Sequence, residues 1–281
     1  MRSSEVAPSN CSAISSRAEP LRVATPLASS SNGGSSSPCP PGLRIEFSDV
    51  EKRYGMRLAL RGVNLSIAAG ECVALVGHNG SGKTTLLKIA AQLTQPTRGE
   101  ISFHEGERPV ALDEVKNRVG MVGHHTLLYD ELTAEENLIF FAKLFGLPDP
   151  AGKAREALDP VGLTGRAADL VRTFSRGMRQ RLSIARALLA SPGLLLLDEA
   201  GTGLDPEGQH WLASAIQRLR NSGCTILMST HGRNETQAAV TRAVRLEGGK
   251  ITHDSGVGGD PKKILVLAAV RGTESGGEVE S

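Results

Sequence analysis

A glycine-rich segment near the first third of the chain carries the clearest chemistry. Residues 77–84 read GHNGSGKT and fit the phosphate-binding pattern GxxxxGK[ST], directly after an apolar strand-like run and directly before a helical one. Glycines let successive backbone N–H groups point at phosphate oxygens, and the helix N-terminus adds its positive dipole end. Lys83 can reach the β- and γ-phosphates, and the Thr84 hydroxyl can ligate Mg²⁺. The residues expected to contact the nucleotide here are Gly77, Asn79, Gly80, Ser81, Gly82, Lys83, Thr84 and Thr85.

Two adjacent carboxylates follow a second apolar run. Residues 194–197 are four leucines, and Asp198 and Glu199 come next. This arrangement places both carboxylates at the carboxyl edge of a sheet, where α/β folds bind ligands. Such a pair on its own is often only a solvated strand end, and the upstream phosphate-binding segment favours the functional interpretation. We expect Asp198 to hold Mg²⁺ and Glu199 to orient and deprotonate the attacking water.

The elements that position these residues alternate between short β-rich runs and helical periodicity, which predicts an α/β fold with a mostly parallel core sheet. Residues 72–76, 194–197 and 225–228 are continuous apolar runs, typical of strands covered on both faces. Residues 43–50 and 58–67 alternate more and predict an antiparallel β subdomain.

Three parts of the chain are predicted from these patterns. A Ser- and Pro-rich leader over residues 1–42 is too polar to fold. An ATP-binding domain over residues 43–256 follows, with a helical subdomain at about 127–190. A Gly-rich, charged tail over residues 257–281 is expected to be loosely attached.

The length and composition of the chain indicate its domain size, its partners and its compartment. The 281 residues suit one large domain, and 32 Lys+Arg against 30 Asp+Glu leave a formal net charge of +2, which does not indicate a nucleic-acid partner. The four cysteines show no CxxC spacing, which favours a reducing compartment. Apolar runs fall far short of the roughly 20 residues of a membrane-spanning helix. If the protein works at a membrane, another chain spans it.

With these motifs, residues 43–251 resemble the ABC ATPase family. The segment before the leucine run, residues 174–181, reads FSRGMRQR and resembles the family's LSGGQ signature, with Arg176 and Met178 as departures. The resemblance implies a P-loop NTPase with an ABC-type nucleotide-binding domain that uses ATP and Mg²⁺. It also implies that Ser175 and Gly177 bind the γ-phosphate of ATP held by the opposite subunit. The active site would then need a homodimer, or pairing with a related subunit.

Further residues take roles from the same resemblance. Asp205, in Gly-Leu-Asp, resembles the D-loop that contacts the shared nucleotide site, and His231, after the third apolar strand, resembles the switch histidine that contacts the γ-phosphate. Tyr54 resembles the aromatic residue that stacks on adenine. Ala200 replaces a proline that is common in the family.

His124 stands where the family usually has a glutamine that senses Mg²⁺ and the attacking water. Together with residues 132–138, LTAEENL, it resembles the haem-exporter ATPases of cytochrome c maturation. An imidazole can still ligate or hydrogen-bond water, so the resemblance implies a metal-binding and catalytic role for His124 and an altered pH sensitivity.

The resemblance implies a cytoplasmic subunit, peripheral on the inner face of the cell membrane, that powers export through an integral membrane permease on separate chains. Two alternatives stay open: the ATPase of another exporter, for a drug, lipid or polysaccharide, or a non-transport ATPase such as an Fe–S assembly motor. A DNA-repair or chromosome ATPase is excluded, because no coiled-coil heptads lie between the phosphate-binding segment and the signature.

Overall fold

The structure of the chain is a computed structural model that describes residues 41–123, 126–202, 204–230 and 239–271, with side chains through residue 266. Residues 1–40, nearly all of the expected leader, and residues 272–281 lie outside this description. The described strands are β1 (Arg44–Tyr54), β2 (Arg57–Ile67), β3 (Cys72–Val76), β4 (Arg98–Glu105), β5 (Arg108–Pro109), β6 (Val119–Val122), β7 (Leu194–Asp198), β8 (Thr225–Ser229), β9 (Arg242–Glu247) and β10 (Lys250–Asp254). The described helices are α1 (Lys83–Ala90), α2 (Leu112–Lys116), α3 (Ala134–Leu144), α4 (Pro150–Leu158), α5 (Arg176–Leu188), α6 (Pro206–Asn221) and α7 (Lys262–Arg271).

The described strands form two sheets. One sheet has the order β2-β1-β4-β5 and is antiparallel throughout, whereas the other has the order β10-β9-β3-β8-β7-β6. The second sheet is parallel except for the β9–β10 pair at its edge. The α/β class with a mostly parallel core sheet and an antiparallel β part is therefore confirmed.

The register of the core sheet brings the ends of its central strands together. β7 pairs in parallel with β8, and Asp198 stands directly beside Ser229. β8 in turn pairs in parallel with β3, which leads into the phosphate-binding segment. Parallel neighbours end at one edge of a sheet, so the carboxyl ends of three strands supply the candidate site.

β7 shows why its sequence is apolar at every position. Leu194 and Leu196 pack into the core cluster that contains α1, while Leu195 and Leu197 pack into the cluster that contains α6. All four leucines are at most 1% exposed. Burying a leucine side chain contributes about 1.5–3 kcal/mol, so both faces of the strand stabilise its position at the centre of the sheet.

The described residues between β6 and β7 form helices, turns and loops, and they contain no strand. Helices α3, α4 and α5 bury a common apolar cluster, and two 3₁₀ turns (Thr164–Arg166 and Val171–Thr173) connect α4 to α5. Thr133 caps α3 in a capping box with Glu136, whose pKa is lowered by the hydrogen bonds it accepts from Thr133. The cap defines where the helix begins.

The segment predicted to be a loosely attached tail contains one described helix. Helix α7 lies within that segment, and its Ile264 and Leu265 are buried in the core cluster that contains α6. The apolar side chains of this short run are sufficient to attach the helix, because each buried aliphatic side chain contributes about 1.5–3 kcal/mol.

None of the helices in the described residues has the length and apolar character needed to cross a membrane. Cys72 and Cys224 are buried in the core. Burial raises the pKa of Cys72 to about 12, so this thiol stays protonated and unreactive.

Candidate active site

The phosphate-binding segment is a loop between β3 and α1 whose shape requires glycine at both ends. Gly77 has φ 154°, and a Cβ there would lie 2.2 Å from the carbonyl oxygen of Leu246. Gly82 has φ 112°, and a Cβ there would lie 2.8 Å from the carbonyl oxygen of Ala59. Larger residues would push the loop away from the sheet, so the glycines keep its backbone N–H groups at the strand end.

Lys83 closes this loop on itself. Its Nζ donates to the carbonyl oxygens of Gly77 at 2.7 Å and of His78 at 3.1 Å. Burial lowers the pKa of Lys83, and the nearby carboxylates of Glu199 and Asp198 oppose that effect. The ammonium group is therefore held at the loop by weak neutral acceptors, and phosphate oxygens are stronger, charged acceptors for it.

Ser81 supplies an independent sign of an anionic ligand. Its side chain is fully buried, and its Oγ finds no hydrogen-bond partner among the described residues. A buried hydroxyl without a partner is costly, on the order of 1–3 kcal/mol. A phosphate oxygen in the loop would satisfy it, so the residues present fit a nucleotide phosphate.

Three oxygen-bearing side chains meet at the end of β7. Asp198 Oδ1 accepts hydrogen bonds from Thr84 Oγ1 at 3.2 Å and from Ser229 Oγ at 2.7 Å. Mg²⁺ prefers hard oxygen ligands and is usually held by one or two protein groups together with substrate phosphates and water. Thr84 and Asp198 present such a pair beside the phosphate loop, so they fit a Mg²⁺ ion.

Glu199 is held in an uncommon backbone conformation. Its φ is 55°, in the left-handed region, and its N–H donates to Ser229 Oγ at 2.9 Å. A non-glycine residue in this region costs on the order of 1–3 kcal/mol and is found most often at functional sites. The conformation lets Glu199 line the same cavity as the phosphate loop, while Asp198 stays at the end of the strand.

An open cavity of about 380 Å³ connects these groups. Its lining is formed by Tyr54, Arg57, Ala59, Asn79, Gly80, Ser81, Gly82, Lys83, Thr84, Thr85 and Glu199. The structure thus brings together nine residues that the sequence predicts for the site, and Gly77 and Asp198 contact them directly through Lys83 and Thr84.

Tyr54 marks the outer end of the cavity. Its side chain is 48% exposed, and Lys52 Nζ lies 5.2 Å from the centre of its ring. The Lys52 ammonium group covers part of the Tyr54 ring. The rest of the ring is open, and an aromatic base can stack on it. The arrangement fits an aromatic base at this end and phosphates at the loop.

The signature segment lies elsewhere. Ser175 is the N-cap of α5 and accepts from the N–H of Met178 at 3.2 Å, and Gly177 follows in the first turn. Asp205 is the N-cap of α6 and accepts from the N–H of Gly208 at 2.8 Å. Ser175, Gly177 and Asp205 are absent from the lining of the cavity, so within one chain the described structure does not bring them to the phosphate loop.

Two predicted site residues, His124 and His231, lie outside the described residues, as do His125 and Gly203. Their predicted roles therefore stay predictions.

Sequence reasoning missed three participants. Ser229 bridges the carboxylate of Asp198 and the backbone of Glu199, and its position at the end of a third apolar strand is a signal that could have found it. Arg57 and Ala59 line the cavity from β2. The signal for Arg57 is the tight Tyr54-to-Arg57 turn, which places it directly opposite Tyr54.

Fold and site together define a nucleotide-binding ATPase of the P-loop type. Residues 60–202, just over half of the chain, match the family model described as ABC transporter. The chain belongs to this family and is an ABC-type ATPase.

Relatives of known name agree with this assignment. The chain is 38% identical over 208 residues to Nod factor export ATP-binding protein I of Burkholderia orbicola (strain AU 1054), covering 73% of this chain and 68% of that protein. It is 38% identical over 216 residues to ABC transporter ATP-binding protein NatA of Bacillus subtilis (strain 168), covering 74% and 88%. Linearmycin resistance ATP-binding protein LnrL of the same organism is 32% identical over 209 residues, covering 74% and 67%.

Solved structures give the same result. The ATP-binding subunit of an ABC transporter superposes with a TM-score of 0.69 at 29% identity, covering 80% of this chain and 99% of that one. A dimeric ATP-binding cassette in a post-hydrolysis state, bound to ADP and Pi, superposes with a TM-score of 0.67 at 27% identity, covering 77% and 99%.

Proposed function

We propose that two copies of this chain, or one copy and a related subunit, enclose two ATP molecules. Each ATP is held by the phosphate loop of one subunit and by Ser175 and Gly177 of the other. The observation that carries the proposal is the separation of these two groups: the loop lines the cavity, whereas Ser175 caps an exposed helix N-terminus outside it. A helix N-terminus attracts anions, so a second subunit is needed to bring it to the γ-phosphate.

Within each site the residues of this chain have distinct tasks. Tyr54 stacks on adenine, and the loop N–H groups, Ser81 and Lys83 bind the phosphates. Glu199 accepts the proton of the attacking water and orients it toward the γ-phosphate. Its backbone N–H donates to Ser229, which fixes the point on the backbone from which the Glu199 side chain extends.

Thr84 and Asp198 are the residues that would hold Mg²⁺, with His124 as a further ligand. When bound, the ion neutralises charge on the β- and γ-phosphates. Asp205 and His231 complete the proposed site, the first at the subunit interface and the second at the γ-phosphate.

ATP binding closes the two subunits and hydrolysis opens them again, and a separate membrane permease uses this motion for export. The shift is one of populations, because ATP binds the closed dimer more tightly than the open one. The subunit would then lie at the inner face of the cell membrane, attached through its permease.

The exported cargo is either haem or another compound. Haem export rests on His124 and residues 132–138. Two of the three relatives reported above are instead named for Nod factor export and linearmycin resistance, which favours an exporter of another cargo. Co-purification with a membrane permease tests the transporter role, whereas co-purification with a soluble scaffold would support an assembly motor.

Mixing two inactive variants tests the shared site. Lys83→Ala disables the phosphate loop, and Ser175→Arg blocks the signature segment. A mixed dimer carries both changes in one site and none in the other, so ATPase activity should return on mixing. Each variant alone should stay inactive. If mixing the two variants restored no ATPase activity, and dilution of the wild type did not lower its activity per subunit, the proposal of a two-subunit site would be wrong.

A further inference from the structure

Arg57 lines the nucleotide cavity beside Tyr54 and lies outside the groups that perform the proposed reaction. It is the first residue of β2 and pairs directly with Tyr54, the last residue of β1. Gly55, with φ 56°, allows the tight turn between them. Directly opposed residues of an antiparallel pair have Cβ atoms about 4.5–5.5 Å apart. Both side chains line the cavity, so the hairpin presents an aromatic ring and a guanidinium group side by side.

The guanidinium lies against the phosphate loop. Arg57 Nη2 is 3.5 Å from the carbonyl oxygen of Gly80. A Cβ on Gly80 would lie only 2.8 Å from the same arginine nitrogen. At 3.5 Å this hydrogen bond is at the limit of useful geometry. Within the described part of the chain, Arg57 forms no ion pair with a carboxylate. Arginine has five N–H donors, so most of them are open to a ligand.

Lys83 and Arg57 are the two cations among the residues that line the cavity, and they differ in their surroundings. Lys83 is buried, and its Nζ already donates to two loop carbonyls. Arg57 is exposed, and its side-chain hydrogen bond among the described residues is the long contact with Gly80. A guanidinium binds phosphate oxygens through two parallel hydrogen bonds, which a point-charge ammonium does not do.

The position of Arg57 along the cavity determines which phosphate groups of a nucleotide it can contact. Thr84, Asp198 and Glu199 mark the end where the γ-phosphate reacts, and Tyr54 marks the end of the base. Arg57 stands beside Tyr54 and over Gly80, between these two ends. We propose that Arg57 binds the α- and β-phosphates of the nucleotide and thereby contributes to affinity for ATP and ADP alike. This inference rests on the proposed function, because it requires the nucleotide to occupy this cavity.

Three variants of the full chain test the assignment: Arg57→Ala, Arg57→Lys and Arg61→Ala. Arg61 is the matched control, an exposed arginine on the same strand that does not line the cavity. Charge-assisted hydrogen bonds at an exposed site predict about a tenfold weaker Kd for both ATP and ADP in Arg57→Ala. KM for ATP should rise by a similar factor and kcat should change less than twofold. Arg57→Lys should be intermediate, and Arg61→Ala should match the wild type.

Displacement of a fluorescent ADP analogue by tripolyphosphate separates a phosphate contact from a contact with base or ribose. Tripolyphosphate affinity should fall in Arg57→Ala by the same factor as ATP affinity. A loss for ATP alone would overturn the phosphate assignment, and unchanged binding of all ligands would overturn any role for Arg57. Failure of the wild type itself to bind ATP or ADP would instead overturn the proposed function, and this inference with it.

Discussion

Thr84 and Asp198 are 114 positions apart in the chain and meet in a 3.2 Å hydrogen bond between Oγ1 and Oδ1. Thr84 lies in the first turn of α1, which follows the phosphate loop, and Asp198 is the last residue of the central strand β7. Their contact joins the phosphate-binding and carboxylate halves of the site. Since both are oxygen ligands suited to Mg²⁺, the contact also locates where the ion is expected.

The Thr84 hydroxyl can therefore be tested by changing only its oxygen. Thr84→Val keeps the shape of the side chain and removes the ligand, so the Mg²⁺ concentration for half-maximal ATPase activity should rise by about tenfold. Thr84→Ser keeps the hydroxyl and should stay close to the wild type. Titrations of activity with Mg²⁺ measure both, and equal Mg²⁺ requirements in the two variants would contradict the role of Thr84.

Glu199→Gln removes the proposed general base and keeps the size of the side chain. ATP binding should persist, and turnover should fall by about 10²–10⁴-fold. A dimer stabilised by Mg·ATP should accumulate and be visible by size-exclusion chromatography. Glu207→Gln, at an exposed position in the first turn of α6, is the control. Wild-type phosphate release by Glu199→Gln would exclude the proposed role.

Ser229→Ala removes the hydroxyl that joins Asp198 to the backbone of Glu199. The Glu199 N–H loses its acceptor, which should destabilise the protein by about 1–3 kcal/mol in urea unfolding. Turnover should also fall, since the strained backbone of Glu199 loses its support. Ser66→Ala, on an exposed strand position, should change stability by less than about 0.5 kcal/mol. Equal stability of the two variants would show that Ser229 is not needed to hold Glu199.

Ser175 combines a helix cap with a proposed phosphate contact, and two substitutions separate these effects. Ser175→Ala should cost about 0.5–2 kcal/mol of stability through loss of the cap, as should Thr133→Ala at the cap of α3. Only the change at Ser175 should also abolish most ATPase activity.

Ser175→Asp keeps a capping acceptor and adds a negative charge. Its urea midpoint should stay near the wild-type value, while its ATPase activity should be lost because the carboxylate repels the γ-phosphate. An active Ser175→Asp variant would limit Ser175 to a structural role.

Asp254 gives the protein a predictable response to acid. Its carboxylate accepts from Arg242 Nε at 2.7 Å and Nη2 at 2.6 Å, and Arg242 also lies 3.5 Å from Glu71. The pKa of Asp254 is lowered chiefly by the Arg242 hydrogen bonds. A carboxyl group with a lowered folded pKa stabilises the protein above its unfolded pKa, and the contribution is lost as pH falls through the folded pKa.

Asp254→Asn should therefore destabilise the protein at pH 7, by about 1–2 kcal/mol given the partial exposure of the side chain. Below about pH 5 the stability of the variant should fall less than that of the wild type, because an asparagine does not titrate. Urea unfolding at several pH values measures both effects. Asp113→Asn is the control, because the Asp113 side chain is 95% exposed. If the difference in stability between the wild type and Asp254→Asn stayed the same at the lowest pH, the prediction would be contradicted.

Much of the core was predictable because its physical signals are local. β3, β7 and β8 are continuous apolar runs, and continuous burial on both faces of a parallel strand requires that pattern. The antiparallel sheet was predictable from alternation. Helix α7 was not, because a short apolar run within a polar tail does not show by itself which surface it will meet.

For the site, the phosphate loop was predictable from the amino-acid sequence, because its glycines, Lys83 and Thr84 lie in one contiguous segment with a recognisable spacing. Only the tertiary structure decided that Ser229 orients Asp198 and Glu199, and that Arg57 lies over Gly80. It also decided that Ser175 and Asp205 lie outside the cavity of their own chain. Those relationships depend on strand order and register between distant segments, and long-range packing sets both.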